Sequence, residues 1–517
     1  MNDGLPAHLA GLLQLRAYPH PVVEIRLLET HISWVLLTGE FAYKIKKPVC
    51  YPFVDFRSMQ RREFFCREEV RLNRRFAPEL YLDVCPIVAI KGESRIGGPG
   101  EVIEHAVKMQ QFERGDELDK LIAVNRVEPS ELMEFGHDLG SIHAGLPVAL
   151  QTDPWGQPET IRAVILENFE QCSQASAVFG QAARVQALGR PLQRALDAAA
   201  PWISERLSKG RVRECHGDLH AANIVRRRRL VAFDCMEFEP AFRWIDVADE
   251  IAFLLADLDS QRQPLLAQAF LSGYLTQTGD YHACPLINMY KSHKALVRAK
   301  VRALKRAQGH IDDRQYAQYG TYLECAERVL APKQPTLLLM CGLSGSGKTW
   351  LANHLAPPLN AVHLRSDIER KRLAGIDVRS HASAQVGQGL YSRDMSARVY
   401  EHLMLCAQYV LTGGFATIVD ATFGRREHRA RFRRLAARLG LTVCLVHCHA
   451  SHAVLLKRIK ERSSSGRDES DADISVLQWQ EEGWQPIEAD EDIAVLEADT
   501  TQTDPRELVQ RITALSA

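Results

Sequence analysis

No run of eighteen apolar residues interrupts this 517-residue chain, so hydropathy excludes a membrane-spanning helix. Neither charge sign dominates: 64 basic side chains face 64 acidic ones. That excludes a global basic field for drawing in nucleic acid and leaves only local patches. The twelve cysteines form no CxxC pair. "CLVHCH", Cys444 to His449, lies in an apolar, β-branched run and reads as a buried strand rather than a metal site. Cysteines scattered in this way read as reduced thiols of a cytoplasmic protein. The opening "MNDGLPAHLAGLLQL" lacks the basic-then-apolar layout of a signal peptide. Internal repeats and long low-complexity segments are missing as well.

The length exceeds what one ordinary core accommodates and predicts two to four domains. The clearest boundary is "LAPKQPTLLLM", where Pro332 and Pro335 flank two polar residues ahead of a strand. Beyond it, five apolar runs alternate with helical stretches: "TLLLMCG", "AVHLRSD", "ATIVDAT", "TVCLVHC" and "IAVLEAD". That alternation predicts an α/β layer with a five-stranded parallel sheet covered on both faces. Before the boundary the pattern changes. Residues 22–112 are strand-rich around one charged helix, "MQRREFFCREEVRLNRRF". Residues 113–330 read mostly as helix, broken near 213–240 by a polar stretch. A small β-rich lobe followed by a helical lobe predicts a two-lobed, α+β nucleotide fold. The expected domains are 1–112, 113–331 and 332–517.

"GLSGSGKT" satisfies G-x-x-x-x-G-K-[ST] through Gly342, Gly347, Lys348 and Thr349, with a strand before it and a helix after. Gly342, Ser344, Gly345, Ser346 and Gly347 let backbone N–H groups turn inward around phosphate oxygens. The helix N-terminus adds its partial positive charge. Lys348 is expected on the β- and γ-phosphates, and Thr349 on Mg²⁺. Such a loop alone does not separate a motor, a switch and a kinase. "HLRSDIERKR" puts Asp367 at the end of the second strand and Arg370 three residues on. A carboxylate there can take the proton of an acceptor hydroxyl, and the arginine can grip acceptor or phosphate. Asp420 ends the third strand, suited to Mg²⁺-bound water or the acceptor. Arg458 and Arg462 lie four apart on one helix face, with Arg467 in the loop beyond, as in a lid that closes over transferring phosphates. The blander readings are a helix N-cap for Asp367 and a solvated basic helix for the arginines. Residues 333–517 resemble the small P-loop kinases that include polynucleotide 5′-kinase, zeta-type toxins and chloramphenicol phosphotransferase. The resemblance implies that Asp367 is the general base; it carries over no acceptor.

"HGDLHAANI" sets Asp218 and Asn223 five apart, the D-x-x-x-x-N spacing of a kinase catalytic loop. Asp218 would accept the proton of an attacking hydroxyl, and Asn223 would hold Mg²⁺. The strand "LVAFDCMEF" presents Asp234 as the second metal carboxylate. "FAYK" reads like V-A-I-K: Ala42 and Lys44 share a strand face, so alanine could cover adenine while Lys44 reaches phosphate. Lys46 shares that face and is the fallback. Glu68 and Glu69 are the candidate partners, with Glu69 preferred. Residues 25–330 resemble the aminoglycoside phosphotransferase and choline kinase families of kinase-like folds, and more closely the bacterial phosphotransferase-like proteins fused to a P-loop kinase. The resemblance implies a bracing role for Asp246 and an adenine hinge near Val107–Phe112.

Departures narrow the acceptor. Asp234 sits in F-D-C, not D-F-G, and the only A-P-E, Ala77–Glu79, lies far upstream. Without an activation segment, small-molecule acceptors gain over proteins. "LLETHISW" has no Gly-rich loop, which leaves ATP and GTP both open as donor. "DEIAFLLADLD" could attract a cationic acceptor or be an ordinary amphipathic helix, and Tyr290–Gln308 could touch RNA or pack. The combined expectation is a bifunctional ATP- and Mg²⁺-dependent phosphotransferase acting on hydroxyls of small-molecule or nucleotide-type acceptors. The alternative is a polynucleotide 5′-hydroxyl or zeta-toxin-like kinase with a regulatory N-terminal module. Oligomeric state is not set by the sequence.

Overall fold

The computed structural model describes residues 5–51, 54–309, 313–380, 392–465 and 474–515. The chain parts into two compact units. One comprises Met1–Glu131, Ile142–Ile161 and Ser204–Leu254; the other comprises Leu132–Ser141, Arg162–Ile203 and Leu255–Ala517.

The first unit is built on a six-stranded sheet in the order Arg26–Glu29, Ser33–Leu37, Phe41–Lys46, Glu101–Gln110, Tyr81–Ile90, Glu93–Ile96. Every pairing in it is antiparallel. Where a Gly-rich turn is absent, the Thr30 Oγ1 accepts from the Ser33 N–H at 2.9 Å and closes the first hairpin. Alternation along Phe41–Lys46 splits the strand by face. Tyr43 and Ile45 join a core with Leu9, Leu12 and Leu36. Ala42 turns to the opposite core, with Cys66 and Val70 of the helix Met59–Asn73. Cys66, Glu69, Val70 and Asn73 recur at helical spacing, so one face of that helix is buried and carries Glu69 inward. The Ser58 hydroxyl caps the helix by accepting from the Arg61 N–H at 3.3 Å.

The second unit holds a five-stranded, all-parallel sheet in the order Ala361–Arg365, Ala416–Asp420, Leu337–Cys341, Val443–His449, Ala494–Asp499. All five predicted runs form it. Leu337–Cys341 is buried along its whole length, as a central strand covered on both faces must be. Helix Lys348–Leu355 and the C-terminal helix Pro505–Leu515 bury Leu351, Leu355, Leu508 and Ile512 against it. "CLVHCH" lies in the strand Val443–His449, with Cys444 and Cys448 buried.

The same unit contains the helices Pro264–Thr278, Cys284–Ala307 and Asp313–Leu330. Leu296, Ala299 and Ala303 pack there with Tyr319, Tyr322 and Leu323. The basic stretch Tyr290–Gln308 is therefore largely a packing helix: Tyr290, Lys291 and Lys294 are buried, and Lys291 Nζ meets Asp259 at 2.5 Å. The acidic stretch is internal too, since Asp257 accepts from the Tyr322 hydroxyl at 2.6 Å.

Candidate active sites

In the first unit, Lys44 Nζ lies 2.6 Å from Asp234 and 2.8 Å from Glu69. Glu69 is fully buried and reaches Lys46 with its other oxygen at 2.7 Å. Burial opposes the Glu69 charge, but the two lysines outweigh it and hold its pKa at about 2. Burial likewise works against the Lys44 ammonium, and Asp234 and Glu69 overcome it. The two lysines divide the work: Lys44 faces Asp234, whereas Lys46 is sealed between Glu69 and Glu237. Glu237 escaped sequence reasoning because its partner stands 191 positions away.

The loop after the strand Val212–Glu214 is held from several sides. Asn223 Nδ2 donates to both the carbonyl and Oδ2 of Asp218, each at 3.0 Å, and so ties the two ends of D-x-x-x-x-N together. His220 Nε2 stands 3.4 Å from the same carboxylate oxygen. The His216 Nε2 lies 2.9 Å from the carbonyl of Phe233, and its Nδ1 receives the Asp218 N–H at 3.4 Å. Only a neutral ring protonated on Nε2 satisfies both contacts. Burial agrees, lowering the His216 pKa to about 4. Gly217 has φ +85°, and a Cβ there would meet the Phe242 carbonyl at 2.6 Å, so no side chain fits. Asp234 also has positive φ, 64°, a region aspartate tolerates better than most residues. Its N–H donates to the Tyr81 hydroxyl at 3.0 Å.

The brace differs from the one the resemblance implied. Asp246 is taken up by Arg206, at 2.7 and 2.8 Å. Glu250 instead accepts the N–H groups of His216 and Gly217, at 3.2 and 3.0 Å. Asp246 ends the strand Trp244–Asp246 and Glu250 lies in the first turn of the helix Val247–Ser260, and only tertiary packing assigns the loop to the second.

In the second unit, Gly342, Gly345 and Gly347 have φ of +147°, +80° and +86°. A Cβ at Gly342 would fall 2.2 Å from the Cys448 carbonyl, so the turn requires glycine. The Ser346 hydroxyl is buried beside this turn without a partner among the described residues. The Ser344 N–H is taken by the Gln480 side-chain oxygen at 2.8 Å. Lys348 Nζ donates to the Leu343 carbonyl at 2.9 Å. Thr349 Oγ1 donates to Asp420 at 2.6 Å, and His363 lies 3.4 Å from the same carboxylate. Burial raises the Asp420 pKa, but His363, Lys348 and Thr349 outweigh it and hold it at about 2. Hydroxyl and carboxylate oxygens together are the donor set that a hard cation such as Mg²⁺ takes.

Of these residues, Ser344, Gly345, Gly347, Lys348, Thr349, Asp420 and Gln480 line a cavity of about 590 Å³. Asp367, Arg370 and Arg458 line it as well. Asp367 does not end the strand: Ala361–Arg365 stops two residues earlier, and Asp367 and Arg370 lie within the helix Ser366–Leu373. Arg458 donates to the Gly345 carbonyl at 3.2 Å and to Thr500 Oγ1 at 2.8 Å, which fixes it against the loop. The Arg462 side chain and Arg467 lie outside the described residues.

The residue between Asp367 and Arg370 that sequence reasoning passed over is Glu369. It is fully buried and receives Tyr281 Oη at 3.0 Å, His402 Nε2 at 2.9 Å and Arg372 Nε at 3.0 Å. The S-D-x-x-R spacing marks the face turned to the cavity and is silent about the one turned away.

Residues 60–287 match the sequence model of the phosphotransferase enzyme family, and residues 337–487 match that of an AAA domain. A protein of Mycobacterium bovis and one of Mycobacterium tuberculosis, both described as uncharacterized, are 28% identical over 469 residues, covering 90% of this chain and 92% of each relative. Among solved structures, a putative kinase from Chloroflexus aurantiacus is 24% identical, covering 35% of this chain and 98% of its own, with a TM-score of 0.29. A choline/ethanolamine kinase family protein from Mesorhizobium loti is 13% identical, covering 60% and 91%, with a TM-score of 0.34. Among the described residues no helix is long and apolar enough to cross a membrane. The chain is a kinase that joins a phosphotransferase-family region, residues 60–287, to a P-loop nucleotide-binding region, residues 337–487.

Proposed function

We propose that both regions catalyse phosphoryl transfer from ATP to a hydroxyl, making the chain a bifunctional kinase. By chemistry we divide it into 1–112, 113–331 and 332–517. The observation that supports this reading is that each site gathers a lysine, a base-type carboxylate and a metal-type carboxylate. In the first site these are Lys44, Asp218 and Asp234, with Asn223 beside them. In the second they are Lys348, Asp367 and Asp420, with Thr349 on Asp420.

Phosphoryl transfer needs positioning and charge neutralisation more than covalent chemistry. Asp218 and Asp367 would each accept the proton of their acceptor hydroxyl. Lys44 and Lys348 would bind nucleotide phosphates. Asn223 and Asp234 in one site, and Thr349 and Asp420 in the other, would hold Mg²⁺, which supplies charge neutralisation at the phosphates. Arg370 and Arg458 would stabilise charge on the phosphoryl group in flight. All twelve cysteines are free, which suits a reducing, cytoplasmic setting.

The test uses γ-labelled ATP, Mg²⁺ and a cell metabolite extract. Two classes of labelled product are expected. Asp218→Asn should lower one and Asp367→Asn the other, each by about 100-fold or more, as loss of a general base does. If neither substitution changes any transfer, the bifunctional reading fails. If only Asp367→Asn does, the first region is a regulatory or nucleotide-binding module.

A further inference from the structure

The P-loop cavity is lined by more than its phosphate-binding loop. Part of its lining belongs to the nucleotide: Gly345, Lys348, Thr349, Asp420 and Arg458. Another part comes from the helices Arg393–Thr412 and Arg426–Leu439 and the turn that precedes the latter. There Tyr400 and His428 stack with ring centroids 3.6 Å apart. Arginines surround the stack. The charges of Arg370 and Arg425 both act on the Tyr400 hydroxyl, and those of Arg425 and Arg431 on His428.

Two of the four carboxylates of this lining are engaged by neighbouring side chains. Glu427 takes Arg431 at 2.6 Å, and Asp420 takes Thr349. Asp367 is the proposed base, and Glu482 lies at the end of the helix Ile474–Glu482. The guanidiniums of Arg393 and Arg425 have no ion pair among the described residues, although both line the cavity. His428 adds no charge of its own at neutral pH, since burial and then Arg425 bring its pKa to about 4. Unpaired like charges around one cavity repel one another, and an anion between them relieves that repulsion. A guanidinium fork matches the oxygens of phosphate and carboxylate alike.

We propose that the P-loop site phosphorylates a hydroxyl of a small anionic molecule bearing a phosphate or carboxylate, with Arg393 and Arg425 holding that anion. The proposal rests on the kinase reading of the cavity. In the reaction, the acceptor oxygen forms a bond to the γ-phosphorus as the bond from that phosphorus to the bridging oxygen of ADP breaks. ADP leaves with the electron pair, and the hydroxyl proton passes to Asp367.

The test separates a metabolite extract by anion exchange into anionic and neutral fractions. The full chain is then incubated with each fraction, with γ-labelled ATP and Mg²⁺. A 5′-hydroxyl oligonucleotide serves as a third acceptor. Only label that disappears in Lys348→Ala counts. Lys348-dependent label is expected in the anionic fraction alone, and its acceptor, once identified by mass, should carry phosphate or carboxylate. The Arg393→Gln/Arg425→Gln double variant should raise the KM for that acceptor about tenfold or more, the loss expected of charge-assisted hydrogen bonds. Its KM for ATP should stay within about twofold, which a general loss of structure would not allow. Transfer to a neutral acceptor, transfer only to the oligonucleotide, or an unchanged acceptor KM in the double variant overturns the proposal and leaves the kinase reading standing. Absence of Lys348-dependent transfer to anything overturns the kinase reading itself.

Discussion

Lys44 and Lys46 stand two residues apart on one strand, and the buried carboxylate of Glu69 reaches both. Their surroundings predict different outcomes on substitution. Lys46 is almost wholly buried between Glu69 and Glu237. Lys46→Met would leave two interior carboxylates sharing one cation, and breaking a buried ionic network in this way costs about 3–5 kcal/mol. Lys44→Met should cost less stability, because Asp234 is half exposed, and should weaken nucleotide use instead. Urea unfolding and label transfer, measured on both variants, check the contrast. The neutral His216 yields a pH prediction. Its folded pKa of about 4 lies below the ordinary histidine value, so below pH 6.5 the unfolded chain binds more protons than the folded one. Stability should therefore fall as pH drops from about 6.5 to about 4, by a limit of about 3 kcal/mol from this residue. His216→Gln should flatten that slope in unfolding curves taken across the range.

At the scale of elements, the helix Ser366–Leu373 is gripped on the side away from the cavity. Arg372 donates to the carbonyls of Thr276 and Gln277, at 2.5 and 3.2 Å, at the end of the helix Pro264–Thr278. Gly279 follows with φ +63°, and a Cβ there would lie 2.6 Å from Arg372 Nε. Glu369, the neighbour of Arg370, is locked by Tyr281, His402 and Arg372. Burial raises the Glu369 pKa, but His402 and Arg372 outweigh it and leave the carboxylate ionised. Glu369→Gln should lower turnover at the P-loop site by about tenfold, the scale on which small displacements act, with the KM for ATP nearly unchanged. Tyr281→Phe should act in the same direction and more weakly, since one hydrogen bond to a charged group is worth about 1.5–3 kcal/mol. An unaltered turnover in both variants would show that the helix holds Asp367 without this clamp.

At the scale of the whole molecule, the P-loop sheet belongs to the same compact unit as the helical segment from Leu255 onward. Three further contacts join them within that unit. Asn288 Nδ2 donates to the Gly413 carbonyl at 2.7 Å, Gln268 Nε2 donates to the Ala361 carbonyl at 3.3 Å, and a Cβ on Gly413 would lie 2.4 Å from the Cys284 carbonyl. A fragment beginning at Pro332 loses these contacts and the Tyr281 clamp, and exposes the apolar side chains they cover. Such a fragment should aggregate, or transfer phosphate at no more than about a tenth of the full chain's rate. Size-exclusion chromatography and label transfer on equal amounts of both proteins measure this. A monodisperse, fully active fragment would show that the helical segment is dispensable.

Legibility followed the distance between partners. By itself the sequence determined the two nucleotide motifs, the parallel sheet and the loop glycines. Each depends on residues close together in the chain: the spacing of Asp218 and Asn223, the left-handed turns at Gly345 and Gly347, the apolar runs. Tertiary structure alone decided which carboxylate braces the catalytic loop, which lysine faces Asp234, and that Glu369 is a buried anchor. A carboxylate's role depends on what approaches it, and those partners lie 33 residues away for Glu250 and Gly217, and 88 for Glu369 and Tyr281. Even the start of the helix that carries Asp367 was settled this way, since an N-cap signal and a strand end look alike until the flanking backbone is packed.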